Sequence, residues 1–468
     1  MSFQSWRGVK SLKINRKWVQ GADLQTSCRL VNGILALMAC ERVCTKRWRC
    51  KLTSSYIENL HMKNFRQFKS LDVEFNESFN FIAGPNGCGK TSILAGISHC
   101  FHHGTFQYSR FHNDSEFWTD LIVLGEKKRV GVGKNSIDDK GYRNQSIKAW
   151  NAPEPERGRE SVVIHQAQNK LDGFCPLFIG SERSIKYKQI SGMTREQDFK
   201  KQLEQYSLTA TKSLYGERPG NIKQWFVNRY FMIDKDWAGE ERENWNRLIE
   251  NLPALAPFNS DFSYIRTGKE LEPIFSIYGE ECYMEELSAG FQAVLSIVAN
   301  IFEWIEGTRN EGGRIAANAS GSVLIDELDL HLHPEWQFTL RDGLERLFPN
   351  IQFIVTTHSP HLLSSAKENE VIIMSRGREQ SECFFKPTAK RFSGWSTDQI
   401  LSEVMGVVSL DNKTYEILVS QAFDKVEEGS VDGLRNAIEK LSEVAHPSDS
   451  ILTVLNARYA SMVAISND

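Results

Sequence analysis

The run Gly84-Pro85-Asn86-Gly87-Cys88-Gly89-Lys90-Thr91 follows the apolar stretch Phe79–Ala83 and spells G-x-x-x-x-G-K-[ST]. A glycine-rich loop here can turn its backbone N–H groups inward onto an anion, and the helix opening near Lys90 adds the positive end of its dipole. Lys90 reaches toward the β- and γ-phosphates of a nucleotide, and the Thr91 hydroxyl is a ligand for Mg2+. Phe79–Ala83 reads as a buried strand, and Ile93, Leu94 and Ile97 mark the buried stripe of the helix after the loop. Leu71, Val73 and Phe75 alternate upstream with charged residues, as a half-buried strand does. Strand, phosphate loop and helix together set an α/β P-loop fold.

A second stretch belongs to the same chemistry. Gly321-Ser322-Val323-Leu324-Ile325 is an apolar run ending in Asp326 and Glu327. A buried parallel strand reads this way, and ligands sit at the carboxyl end of such strands. Asp326 is placed to hold Mg2+ through water, and Glu327 to polarise the water that attacks a γ-phosphate. Pro334 opens a helix with Phe338, Leu340, Leu344 and Leu347 on its buried side, and Ile351–Val355 then form a strand ending in Thr356-Thr357-His358. A right-handed β–α–β unit carries His358 to the sheet edge of Glu327, where an imidazole can contact phosphate or water. Finally, Leu287-Ser288-Ala289-Gly290-Phe291-Gln292 precedes an apolar helix through Phe302, so Ser288 and Gly290 offer a second anion site at a helix N-terminus.

Composition bounds the rest. With 468 residues, 41% apolar and 25% charged, the chain can bury one large or two modest cores. A net charge of -3 gives no bulk attraction to nucleic acid, so DNA contact needs a local patch; Arg183, Lys186, Lys188 and Arg195 are the candidate. No run of about 18 apolar residues argues for a membrane span. Nine scattered cysteines beside phosphate-loop chemistry imply reduced thiols and a cytoplasmic setting. Residues 1–53 differ from the remainder of the chain: they are basic and carry Cys28, Cys40, Cys44 and Cys50 without paired C-x-x-C spacing, so a poorly packed extension is expected. The division expected is 1–53 basic extension, 54–192 N-lobe with the phosphate loop, 193–280 helical insert, 281–375 C-lobe, and 376–468 small helical C-terminal subdomain.

The order GPNGCGKT, LSAGFQ, VLIDE with LDLHLHP, and TTHSPHLL resembles that of ABC-class ATPases of the branch containing RecF, SMC-like repair proteins and OLD nucleases. The resemblance covers roughly residues 54–375 and implies a mixed sheet flanked by helices that binds ATP and Mg2+. Gly84 to Thr91 would then hold the nucleotide, Thr91 and Asp326 the metal, and Glu327 and His358 would be the catalytic glutamate and switch histidine. Ser288 and Gly290 would act in trans, making ATP the glue of a homodimer or higher homo-oligomer. Asp329 falls in the segment between the two sites, and Gln189 is the candidate for the class's Q-loop glutamine. Only about 195 residues separate Thr91 from Leu287, too few for long coiled-coil arms, and the tail of about 110 residues after His358 lacks Toprim carboxylates. FIGSERSIKY, NIKQWFVNRYF and GWSTDQILSEVMG resemble instead the anti-phage defence ATPases of the Septu and retron-associated kind, the PtuA type. That implies a partner, a separately encoded HNH nuclease restrained through nucleotide state. The ATPase of the PARIS system is a close competitor. A RecF-like DNA clamp is the alternative, and a transporter ATPase a remote third.

Overall fold

The computed structural model describes residues 54–141, 144–214, 221–257, 260–375, 382–407 and 412–466. The basic extension 1–53 lies outside them.

Two sheets make the body. In chain order the described strands are β1 (Tyr56–Phe65), β2 (Phe68–Glu74), β3 (Phe79–Ala83), β4 (Phe111–Val123), β5 (Glu126–Val132), β6 (Ile137–Asp139), β7 (Gln145–Ile147), β8 (Glu160–Val163), β9 (Leu177–Ile179), β10 (Ser263–Thr267), β11 (Pro273–Ile277), β12 (Glu280–Tyr283), β13 (Gly321–Ile325), β14 (Ile351–Thr356), β15 (Val371–Ile373) and β16 (Cys383–Phe385); β6 with β7, and β10 with β11 and β12, form two smaller sheets apart from the two of the body. One sheet is all parallel, in the order β15-β3-β14-β13-β9. The other, in the order β16-β2-β1-β4-β5-β8, is antiparallel at its centre and parallel at both edges.

The parallel sheet is buried on both faces, which is why its strands read as continuous apolar runs. Phe81, Val323, Ile325, Phe353 and Val355 face one core, while Ile82, Leu324 and Ile354 face the other. Helix α1 (Lys90–His99) packs Ile93, Leu94 and Ile97 into the second core, beneath the antiparallel sheet. A buried glutamine ties the sheets together. Gln352 on β14 accepts from the Ile57 N–H at 2.9 Å and from the Ser322 hydroxyl at 2.7 Å, and donates to the carbonyls of Ile57 and Asn76 at 2.8 and 2.7 Å.

After one turn, α2 (Ala167–Lys170), and β9, the segment 193–280 opens with three helices: α3 (Phe199–Leu214), α4 (Ile222–Met232) and α5 (Gly239–Asn251). The insert expected from sequence is purely helical, but β10, β11 and β12 close it as a three-stranded antiparallel sheet. Tyr278 and Gly279 turn β11 into β12 with φ of 53° and 82°, the backbone of a two-residue hairpin that the sequence marks with neither Asn-Gly nor Asp-Gly. Next come α6 (Ala289–Thr308), α7 (Pro334–Leu347) and α8 (Pro360–Ser365). Phe338 of α7, expected on the buried side, is 47% exposed; Trp336, Leu340, Leu344 and Leu347 face the core and rotate it outward.

The C-terminal region carries α9 (Thr397–Glu403), α10 (Lys413–Glu427), α11 (Val431–Val444) and α12 (Ser450–Ser466). Two features depart from a helical unit beginning at 376. Strand β16 pairs with β2 of the head, and Ile400, Val404 and Met405 join the core of the parallel sheet. Only α10, α11 and α12 form a cluster of their own, around Ala422, Leu434, Leu441 and Leu455.

Candidate functional site

The parallel strands deliver their C-terminal ends to one edge. There β3 runs into the phosphate loop, and two of its glycines are obligatory. Gly84 has φ of 150°, and a Cβ on it would lie 2.4 Å from the Met374 carbonyl oxygen. Gly89, the residue capping α1, has φ of 103°, and a Cβ there would lie 2.1 Å from the Gln67 amide. Lys90 is buried and folds across the loop, donating to the carbonyls of Gly84 at 2.9 Å and Pro85 at 3.2 Å. Burial lowers the pKa of its ammonium, while Cys88, Asp326, Asp329 and Glu327 act in the opposite direction. The α1 N-terminus and the lysine thus converge on one anion-sized cradle.

The ends of β13 and β14 are knitted beside it. The Thr91 hydroxyl lies 3.1 Å from both carboxylate oxygens of Asp326, whose Oδ1 also accepts from the Thr356 hydroxyl at 2.6 Å. Thr356 Oγ1 in turn accepts the Glu327 N–H at 2.7 Å, and the Thr356 carbonyl accepts the Leu328 N–H at 3.0 Å. These bonds hold Glu327 at φ of 52°, a left-handed conformation costly for a residue with a Cβ. Asp329 Oδ1 accepts the Thr357 hydroxyl at 2.6 Å and the His358 N–H at 3.1 Å. Burial and then Lys90 lower the His358 pKa against the pull of Asp329, Glu327 and Asp326.

Lys90, Thr91, Asp326, Glu327 and His358 therefore share one sheet edge. Thr91 and Asp326 present only hard oxygen donors, the set that suits Mg2+. The stretch around Ser288 and Gly290 stands elsewhere. Ser288 caps α6 in position only: its side chain makes no capping bond, and the residue is exposed. A Cβ on Gly290 would meet the Trp336 ring at 2.9 Å and the His331 carbonyl at 3.0 Å, so glycine lets α6 settle against the segment after β13.

Three parts of the site escape a reading of the sequence. Arg66 and Gln67, the two-residue turn between β1 and β2, flank the first turn of α1: Arg66 donates to the Ser92 hydroxyl at 3.1 Å, and Gln67 accepts from it at 3.4 Å. Their signal is a short turn between two alternating strands just upstream of the phosphate loop. Arg183, expected with Lys186, Lys188 and Arg195 in a basic patch, is 2% exposed, whereas the other three are exposed. It donates to the Gly180 carbonyl at 3.0 Å and to the Asp326 carbonyl, and burial pushes its pKa down to about 10. Two residues on, the Ile185 N–H bonds Gln292 Oε1 at 2.7 Å, and the Gln292 amide donates to the carbonyls of Leu287 and Glu285. Segment 183–185 thus spans from the Asp326 backbone to the stretch before Ser288, while Gln189 is exposed. Lastly, a Cβ on Gly406 would lie 2.8 Å from Pro85, so the tail beyond α9 walls the phosphate loop.

The RecF/RecN/SMC N terminal domain model matches residues 56–381, well over half of the chain. The chain belongs to this family. It is an ATP-binding P-loop ATPase of the ABC type. It is 27% identical over 411 residues to the Septu protein PtuA of Bacillus thuringiensis, covering 86% of this chain and 98% of that one. To the retron Vc95 probable ATPase of Vibrio cholerae it is 35% identical over 387 residues, covering 68% and 73%. A second Septu protein PtuA, from Bacillus mycoides, is 24% identical over 410 residues, covering 83% of this chain and 51% of that one. Among the described residues no helix is long and apolar enough to cross a membrane.

Proposed function

We propose that the chain hydrolyses ATP at the interface of two copies and acts as the regulatory ATPase of an anti-phage defence system, controlling a separately encoded nuclease through its nucleotide state. The observation that carries the defence assignment is similarity along 98% of a Septu protein PtuA. In the patch on which the alternative of a RecF-like DNA clamp rests, Arg183 is buried behind Asp326, and Lys186, Lys188 and Arg195 remain exposed.

The chemistry follows from the sheet edge. The phosphate loop and Lys90 bind the phosphates, and Arg66 and Gln67 brace the first turn of the helix that receives them. Thr91 and Asp326 would hold Mg2+, which when bound neutralises charge developing on the phosphates. Glu327, held by Thr356 through its backbone N–H, orients the attacking water and accepts its proton, and His358 offers a ring N–H toward the γ-phosphate. Ser288, whose hydroxyl does not cap its own helix, and Gly290 would complete the site of the second copy. Binding energy then appears as dimerisation, and hydrolysis releases it.

The test is to isolate this chain from cells expressing it with its neighbouring genes, in the presence and absence of ATP and Mg2+, and to weigh the complex. A nuclease bound stoichiometrically in one nucleotide state and released in the other supports the proposal. A bare dimer that retains DNA moves the assignment to the clamp.

A further inference from the structure

A polar cavity of about 350 Å3 lies among α3, α4 and α6, lined among others by Arg195, Glu196, Gln202, Tyr206, Arg229 and Glu303. Its size is at the lower end of small-molecule sites. Most of its polar wall is already bonded within the protein. Arg229 donates to Glu306 Oε2 through Nε at 2.9 Å and Nη2 at 2.6 Å, and also pairs with Glu196. Trp225 and Asn244 complete the shell of Glu306 at 2.9 and 3.0 Å. Gln224 and Asn228 bond each other, and Asn228 also holds both backbone polar groups of Thr194.

Glu303 is the exception. One turn before Glu306 on α6, it lines the cavity with a buried carboxyl oxygen, Oε2, that has no hydrogen-bond partner. A buried acceptor left so has lost its water without gaining a partner, a cost that a ligand supplying a donor would recover. The local charge points to the kind of donor. Glu196, Glu303 and Glu306 oppose Arg195 and Arg229, three carboxylates against two guanidiniums, so the ionised cluster carries one uncompensated negative charge. The same field, added to burial, pushes the Glu303 carboxyl up to about 7 against the pull of Arg229. At Gly307 the wall is formed by the Gln202 side chain of α3, whose Oε1 lies 1.7 Å from where a Cβ would stand.

We propose that this cavity is a binding site for a small organic cation, a guanidinium or primary amine, seated on the Glu303 carboxylate. Any tail carboxylate falls to Arg195, an exposed cation of the same lining. The site reports to the nucleotide chemistry through α6. Glu303 lies 15 residues along that helix from Ser288, about 22 Å at 1.5 Å per residue, and a straight helix moves as one body. This second step rests on the ATPase reading; the binding step does not.

The test uses the full chain and three probes in titration calorimetry. L-arginine carries the cationic head and a carboxylate, agmatine the head alone, and L-citrulline is the uncharged isostere of arginine. L-arginine and agmatine are expected to bind, citrulline at least 10-fold more weakly, and Glu303→Gln should weaken arginine at least 10-fold while the protein stays folded. Arg195→Ala should weaken arginine but leave agmatine unchanged. Absence of arginine and agmatine binding to the wild type, or equal binding by Glu303→Gln, overturns the site. If arginine binds through Glu303 yet leaves the ATPase rate unchanged, the site stands and its coupling along α6 is refuted.

Discussion

Thr356 is the pivot on which the proposed chemistry turns, and Thr356→Val isolates it. Valine fills the same volume, so a position 1% exposed keeps its packing while losing only the hydroxyl. Two bonds go with it: the 2.6 Å donation to Asp326 and the 2.7 Å acceptance from the Glu327 N–H. The first is charge-assisted, worth about 1.5–3 kcal/mol, and the second leaves a buried N–H unpaired at about 1–3 kcal/mol. Asp326 retains the Thr91 hydroxyl, which offsets part of the first. A net loss of about 3 kcal/mol is expected, partly in stability and partly in the hold on the left-handed backbone of Glu327. Each 1.4 kcal/mol that reaches the barrier costs tenfold in rate, so kcat should fall between about 10-fold and 100-fold. ATP affinity should stay within about 3-fold, because the phosphate loop and Lys90 are untouched. Steady-state ATPase assays with a fluorescent-nucleotide titration separate the two, and Thr356→Ser should restore the rate. An unchanged kcat in the valine variant would refute the idea that Thr356 positions the catalytic carboxylate.

Two further outcomes concern buried polar groups. Gln352→Leu strands the Ile57 N–H, the carbonyls of Ile57 and Asn76, and the Ser322 hydroxyl, so chemical denaturation should show a loss of about 3–5 kcal/mol; a loss below about 1 kcal/mol would mean the sheets are not joined through this side chain. The Glu303 carboxyl has a folded pKa of about 7 against an ordinary 4.5, so the folded state binds the extra proton and stability falls as pH rises from about 4.5 through 7. Glu303→Gln removes that penalty and should raise the melting temperature over wild type at pH 8 but not at pH 4.5; an equal change at both contradicts the raised pKa.

Much of the fold is legible because the parallel sheet is buried on both faces, leaving Phe79–Ala83, Gly321–Ile325 and Ile351–Val355 as apolar runs that end in their own polar signatures. Strand register then brings Thr91, Asp326, Glu327 and His358 together without further instruction. The parts that stay hidden depend on contacts distant in sequence. Arg183 looks like a surface charge among lysines until β9 is laid beside β13, which places it behind Asp326. Arg66 and Gln67 are an ordinary turn until α1 docks under β1. The hairpin at Tyr278-Gly279 has tyrosine where asparagine or aspartate usually precedes the glycine, and β16 is three residues long, so its pairing with β2 cannot be read locally. Phe338 misleads because any apolar residue near a helical stripe seems to belong to it.

The most direct test of the central claim is light scattering of Glu327→Gln with ATP and Mg2+, set beside the wild type and Lys90→Ala. The glutamine variant keeps every phosphate contact but has no base, so it should accumulate as an ATP-bound dimer, or a multiple of one, that does not turn over, while Lys90→Ala stays at its nucleotide-free mass. A Glu327→Gln protein that hydrolyses ATP at the wild-type rate, or whose mass ignores ATP, would contradict the claim that this edge is a hydrolytic site closed by a second copy.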